Sequence, residues 1–138
     1  MISSDRLYIG GCLCGALRYE AKGEPLFAGH CYCTDCRKAS GSGFVPFICF
    51  ARSAVRMSGQ TVKYRKTGDS GRQAVRNFCS VCNSLVFGGD LSDDVWNLYA
   101  GSLDDAAQFQ PCMAIFTRRL PAWVSVPPGL KTFEGLPP

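Results

Sequence analysis

The stretch "NFCSVCNS", residues 77–84, carries Cys79 and Cys82 with two residues between them. That spacing lets one bend of backbone aim two thiolates at a single ion, at zinc–sulfur distances near about 2.3 Å, so the pair is half of a four-ligand site. A second half stands in "GGCLCGAL", residues 10–17, with Cys12 and Cys14. Asn83 follows one pair and Gly15 the other, and both residue types tolerate the positive φ through which such a knuckle turns back. The two halves lie far apart in sequence. Joining them staples the start of the chain to its middle and makes metal binding part of folding.

A third group lies between them in "GHCYCTDCRKASGSGF", residues 29–44, where Cys31, Cys33 and Cys36 crowd together. A closed structural zinc takes four protein ligands, and a catalytic zinc usually takes three and keeps one position open. Seven thiols divide accordingly: Cys12, Cys14, Cys79 and Cys82 as the closed site, and Cys31, Cys33 and Cys36 as the open one. A second division, in which two of the middle cysteines complete a site with an outer pair, remains open at this level. A thioredoxin-like dithiol at Cys79 and Cys82 is disfavoured, because it wants a βαβ setting that the chain does not offer. Cys49, inside the apolar run "FVPFICF", and Cys112 read as structural.

The chain has 138 residues, 46% hydrophobic and 19% charged, which suits one globular domain over 1–138 with a core of its own. No basic segment followed by an apolar run opens it, and no stretch has the length of a membrane span. A cytoplasmic location is therefore expected, where thiols stay reduced and nine cysteines argue for metal or catalysis before disulfides. Seven metal-bound thiolates remove seven charges and two zinc ions return four, so the formal +4 falls to +1. The basic stretch "KYRKTGDSGRQAVR", residues 63–76, lacks an aromatic stacking set, and a nucleic-acid partner is disfavoured.

Short apolar runs separated by Gly and Pro predict a mainly β chain: "ALRYEA", "FVPFICF", "TVKYR", "QAVRNFC", "SLVFGG", "VWNLYAG" and "AWVSV". One short helix is expected through "TDCRKAS" and a second turn from Ser102 in "SLDDAAQF", with the serine as cap. "GLKTFEGLPP" reads as an extended tail over 130–138, dispensable for the fold. Phe44, Phe47, Trp96 and Trp123 are assigned to the core.

Taken in order, "GGCLCG", "GHCYCTDCRKASGS" and "RNFCSVCNS" resemble the glutathione-dependent formaldehyde-activating enzyme family, whose named activity is S-(hydroxymethyl)glutathione synthesis. "WNLYAGSLDD" and "QPCMAIFTRRLPAW" resemble its later strand-and-turn and P-x-x-H-I…W stretches. The resemblance implies an Mss4-like fold of several small coiled sheets, a structural zinc at Cys12, Cys14, Cys79 and Cys82, and a catalytic zinc at Cys31, Cys33 and Cys36. Two positions depart from the family pattern. Asn83 replaces a glycine, and Ala114 stands where a histidine is usual.

A carbon–sulfur lyase acting on glutathione and a small aldehyde follows from that resemblance; the alternative is a non-catalytic zinc-stabilised module that binds glutathione, protein or nucleic acid. The two carboxylates of glutathione call for cations at the approach, and Arg37 and Lys38, beside the third middle cysteine, are the first candidates, with Arg72 and Arg76 behind them. His30 is a candidate hydrogen-bond donor, proton shuttle or replacement ligand. Residues 40–43, "SGSG", offer backbone N–H groups and room for a ligand chain.

Overall fold

The computed structural model describes residues 5–68 and 71–138; residues 1–4, at the chain start, and Asp69 and Ser70, inside the basic stretch, lie outside the described residues. Eleven strands are present among them: β1 (Leu7–Gly11), β2 (Arg18–Lys22), β3 (Phe27–Cys31), β4 (Val45–Ala51), β5 (Val55–Ser58), β6 (Thr61–Thr67), β7 (Gln73–Cys79), β8 (Leu85–Gly88), β9 (Val95–Tyr99), β10 (Met113–Ile115) and β11 (Lys131–Thr132). The one α-helix among the described residues, α1, spans Thr34–Ser40, the residues expected for it.

Strict alternation makes the smaller sheet. Tyr8 and Gly10 in β1, and Tyr19 and Ala21 in β2, are buried between outward-facing neighbours, the period of a sheet covered on one face. β2 pairs antiparallel with β1 on one side and β5 on the other. Gly10 must lack a side chain, because a Cβ there would stand 2.3 Å from the Ser102 carbonyl oxygen and 2.5 Å from the Tyr19 hydroxyl.

The larger sheet runs β11-β10-β3-β4-β9-β8-β7-β6. It is antiparallel except where β10 lies parallel to β3 and β11. Its two faces differ. Ile48, Phe50, Phe87 and Leu98 pack with Tyr8 and Tyr19 of the smaller sheet, and with Leu17 just before β2, to make the main core, each fully buried Leu, Ile or Phe contributing about 1.5–3 kcal/mol. The alternate residues, Cys31, Phe47, Tyr99, Met113 and Ile115, form a second cluster. A bulge falls between Asn77 and Phe78 in the β7–β8 pairing. Asn77, fully buried, holds the adjoining chain by donating from Nδ2 to the Phe87 and Gly89 carbonyls, at 3.3 and 2.8 Å.

The mainly β, Mss4-like architecture is the expected one, with its strands divided between two sheets. Three local expectations are corrected. "AWVSV" is not a strand: Val124 N–H donates to the Pro121 carbonyl in a turn, prolines flank the segment, and Trp123 is 74% exposed instead of core. Ser102 caps no helix; its hydroxyl donates to the Tyr99 carbonyl at 2.7 Å. The segment holds two 3₁₀ turns, Ala100–Ser102 and Ala106–Gln108, the latter capped by Asp105, which accepts from Ala107 N–H.

The tail is also more than an appendage. Lys131–Thr132 is the outermost strand, Phe133 packs on the second cluster, and Phe116 N–H and Thr117 N–H donate to the Gly135 and Phe133 carbonyls, each at 3.1 Å. Deleting residues 130–138 should therefore cost about 2 kcal/mol or more from one partly buried aromatic and several hydrogen bonds. Urea denaturation of the truncated and full chains measures it, and an unchanged midpoint would restore the tail to a dispensable role.

Candidate functional site

The two outer cysteine pairs meet. Cys12 and Cys14 sit in the loop between β1 and β2, Cys79 ends β7, and Cys82 lies in the loop between β7 and β8. The four Sγ atoms all lie within 4.8 Å of one another. Gly15 and Asn83 do turn through positive φ, at 84° and 63°, and Gly15 N–H and Asn83 N–H close their turns on the Cys12 and Cys79 carbonyls. Replacing glycine by Asn83 thus leaves the knuckle intact.

Backbone N–H groups point at the sulfurs: Leu17 to Cys12 at 3.2 Å, Ala16 to Cys14 at 3.5 Å, and Val81 and Cys82 to Cys79 at 3.4 and 3.5 Å. Such donors favour thiolate over thiol. Ser84 joins the knuckles, accepting from Leu13 N–H at 3.2 Å and standing 3.1 Å from Cys82 Sγ. Its hydrogen bond is the first cause holding the Cys82 thiol down at about 5.

The donor set fits zinc. Cys12 and Cys14 Sγ are 3.6 Å apart, and Cys14 and Cys79 Sγ are 3.8 Å apart; four sulfurs around a zinc at about 2.3 Å make a tetrahedron with edges of roughly 3.8 Å.

Cys31, Cys33 and Cys36 make a separate cluster, again with Sγ atoms within 4.8 Å, so the division into four and three is the one the fold makes. Cys31 ends β3. Cys33 is the N-cap of α1 and accepts from Cys36 N–H at 3.2 Å. Cys36 lies one turn in. Phe47, Ile115 and Phe116 wall the cluster. Phe116 holds a left-handed backbone (φ 58°, ψ 38°), which a bulky residue adopts only at a cost.

Within this apolar wall the thiols cannot all ionise unaided. Hydrogen bonds from Cys31 and Cys36 pull Cys33 down to about 2, and the same contact with Cys33 pushes Cys31 up. One charge is accommodated at its neighbours' expense, and a cation among the three removes that competition.

His30 is not part of the cluster. Strand alternation sends its ring to the face opposite Cys31, where it stacks on Phe44 at 4.2 Å and its Nδ1 lies 3.1 Å from the Tyr32 hydroxyl. Burial pushes its pKa down. Ala114 pairs with His30 and is fully buried on that same side, so a polar side chain at 114 would not face the thiols from this strand.

Arg37 is half-buried and Lys38 exposed on α1. The cation that meets a thiol is Arg76, whose Nη2 lies 3.7 Å from Cys36 Sγ. Ion pairing of Lys66 Nζ with Asp35 Oδ1, at 2.6 Å, ties α1 to β6. Tyr99 was not singled out from sequence, although alternation with the buried Trp96 and Leu98 places it on the thiol face.

A cavity of about 400 Å³ is lined by Ser40, Ser42, Phe44, Asn83 and Tyr99 among others; no thiol lines it, and Tyr99 is the residue it shares with the three-thiol cluster. It includes the serines of the "SGSG" turn. A hollow of about 520 Å³ against β1, β2 and β5 is likewise lined by no thiol.

The glutathione-dependent formaldehyde-activating enzyme profile matches residues 7–119, which include both thiol clusters. The chain belongs to that family. A Rhodobacter sphaeroides protein of known crystal structure is similar in fold, with a TM-score of 0.55 at 19% identity over 91% of this chain and 98% of that one. No curated protein matches. No helix among the described residues is long and apolar enough to cross a membrane.

If the four-thiol cluster carries a zinc that is part of the fold, Cys79→Ser should accumulate as insoluble or unfolded protein, because the metal's binding free energy is folding free energy. Circular dichroism and zinc analysis of the soluble fraction test this. A soluble, fully zinc-loaded Cys79→Ser protein of normal thermal stability would remove the assignment.

Proposed function

We propose that the protein is a zinc-dependent carbon–sulfur lyase-type enzyme that joins a small aldehyde to glutathione, formaldehyde being the aldehyde of the family's name. The observation that carries it is the second cluster: three thiols, set apart from the four of the other cluster, in a chain of this family. Three ligands leave a tetrahedral metal one open position.

Cys31, Cys33 and Cys36 would hold the ion. When bound it supplies a Lewis-acidic position that lowers the pKa of a thiol ligand. The rest falls to the chain. The cavity beside α1 holds the tripeptide, with hydroxyls of Ser40 and Ser42 and the Asn83 amide along its wall. Arg37 and Lys38, on the same helix, face the glutathione carboxylates. Phe47, Ile115 and Phe116 keep water from the sulfur.

In the reaction the glutathione sulfur bonds to the aldehyde carbon. The carbonyl π electrons pass to oxygen, and the thiol's proton ends on that oxygen, giving the S-hydroxyalkyl adduct. Holding both reactants in one cavity supplies the acceleration, and no nucleophile of the protein is consumed.

Cys33→Ser tests the reading. It should fold, since the structural cluster is elsewhere. Zinc should drop from about two ions per chain to about one, and glutathione affinity, measured by calorimetry, should fall with it. Adduct formation should return to the rate in water. Misfolding would make these thiols structural; two retained zincs with full glutathione affinity would exclude the open-site mechanism; glutathione binding without acceleration by the wild type would favour the non-catalytic module.

Arg37→Ala and Lys38→Ala should each weaken glutathione by about two- to fivefold at low salt and by less at high salt. Unchanged affinities in both would return them to the solvated surface.

A further inference from the structure

Arg76 stands where the charge of the open cluster has to be balanced. Three thiolates around a divalent cation leave one net negative charge, and a fourth thiolate raises it to two. In a buried setting that second charge is opposed unless a cation lies beside the sulfurs. Arg76 reaches from the middle of β7 and is only 6% exposed, with Nη2 3.7 Å from Cys36 Sγ. Its charge also acts on Cys33.

One donor of this side chain is left over. Nε is buried and has no hydrogen-bond partner among the described residues. Nε and Nη2 share one edge of the planar guanidinium, so the spare N–H faces the same side as the one on Cys36. Buried N–H groups without an acceptor are rare in folded proteins. This one marks a place for an acceptor that arrives from outside.

The space beside Arg76 that Gly88 leaves is taken by Tyr99. Gly88 is the cross-strand partner of Arg76, and a Cβ at Gly88 would stand 2.6 Å from the Tyr99 hydroxyl. Without it the phenol lies alongside Arg76. Tyr99 both packs on the thiol cluster and lines the adjoining cavity, so the guanidinium, the thiols and the cavity adjoin through one side chain.

We propose that Arg76 is the specificity-determining residue that makes the open cluster accept an anionic sulfur as its fourth ligand, with Nη2 on Cys36 and Nε–H donating to the incoming thiolate. This rests on the proposed metal occupancy of Cys31, Cys33 and Cys36. The entering thiol gives its proton to water, and the guanidinium offsets the charge that remains. The role differs from carboxylate recognition, because it extends to thiols that carry no carboxylate.

The experiment uses the full chain reconstituted with Co²⁺, whose thiolate charge-transfer absorption reports on ligands. Wild type, Arg76→Met and Arg76→Lys are titrated with 2-mercaptoethanol, which has no carboxylate, and with imidazole, a neutral ligand. Arg76→Met should weaken the thiol by roughly ten- to a hundredfold and leave imidazole within about twofold, and Arg76→Lys should retain most of the thiol affinity. Unchanged thiol binding in Arg76→Met, or equal weakening of thiol and imidazole, overturns the proposal. Wild type that takes up one cobalt per chain overturns the open site itself, a failure that stoichiometry separates from the other two. Should Arg76→Met not fold, Arg76→Gln, which keeps an N–H donor and loses the charge, makes the same comparison.

Discussion

Four thiols from two distant loops converge within 4.8 Å, and the rest of the molecule is arranged around that convergence. Thiolates so close repel one another unless a cation sits among them. Each knuckle therefore has backbone N–H groups trained on its sulfurs, and Ser84 bridges one loop to the other. A structural zinc contributes about 10–16 kcal/mol of apparent binding free energy, comparable with the whole net stability of a domain, about 5–15 kcal/mol. Docking the β1–β2 loop on the β7–β8 loop also sets the smaller sheet over the larger one, where Tyr8, Tyr19, Phe50 and Leu98 close the main core.

With one face of the larger sheet committed to that core, the other is free to carry chemistry. Cys31, Phe47, Tyr99 and Ile115 point to it because strands alternate, and α1 completes it by turning immediately after β3. The helix is held from both ends of its first turn: Cys33 caps it, and Lys66 grips Asp35 from the edge strand. The second cluster is thus fixed by elements that the first cluster has already placed.

Electrostatics explains why the two clusters differ in kind. The four-thiol cluster is partly exposed, with Cys14 exposed, Cys82 half-buried and Cys12 and Cys79 buried, and backbone N–H groups point at its sulfurs. The three-thiol cluster is walled by aromatic and aliphatic side chains, where a full positive charge is one means of balance. Arg76 occupies that position on β7, the strand that ends in Cys79 of the other site.

The sequence by itself determined the elements whose causes are local. Cysteine spacing marked the three groups, Gly15 and Asn83 announced the positive-φ turns, "TDCRKAS" marked α1, and "QAVRNFC" matched β7 from end to end. Each depends on residues within a few positions of one another. Only the tertiary structure decided what depends on partners far away. The tail became a strand because β10 offers an open edge and Phe133 finds the second cluster; "AWVSV" failed as a strand because no edge receives it. His30 adjoins Cys31 in sequence yet turns to the opposite face, since one residue along a strand reverses a side chain. Arg76, indistinguishable from Arg72 in sequence, became the thiol's neighbour through the ladder register that sets it opposite Gly88 and beneath α1.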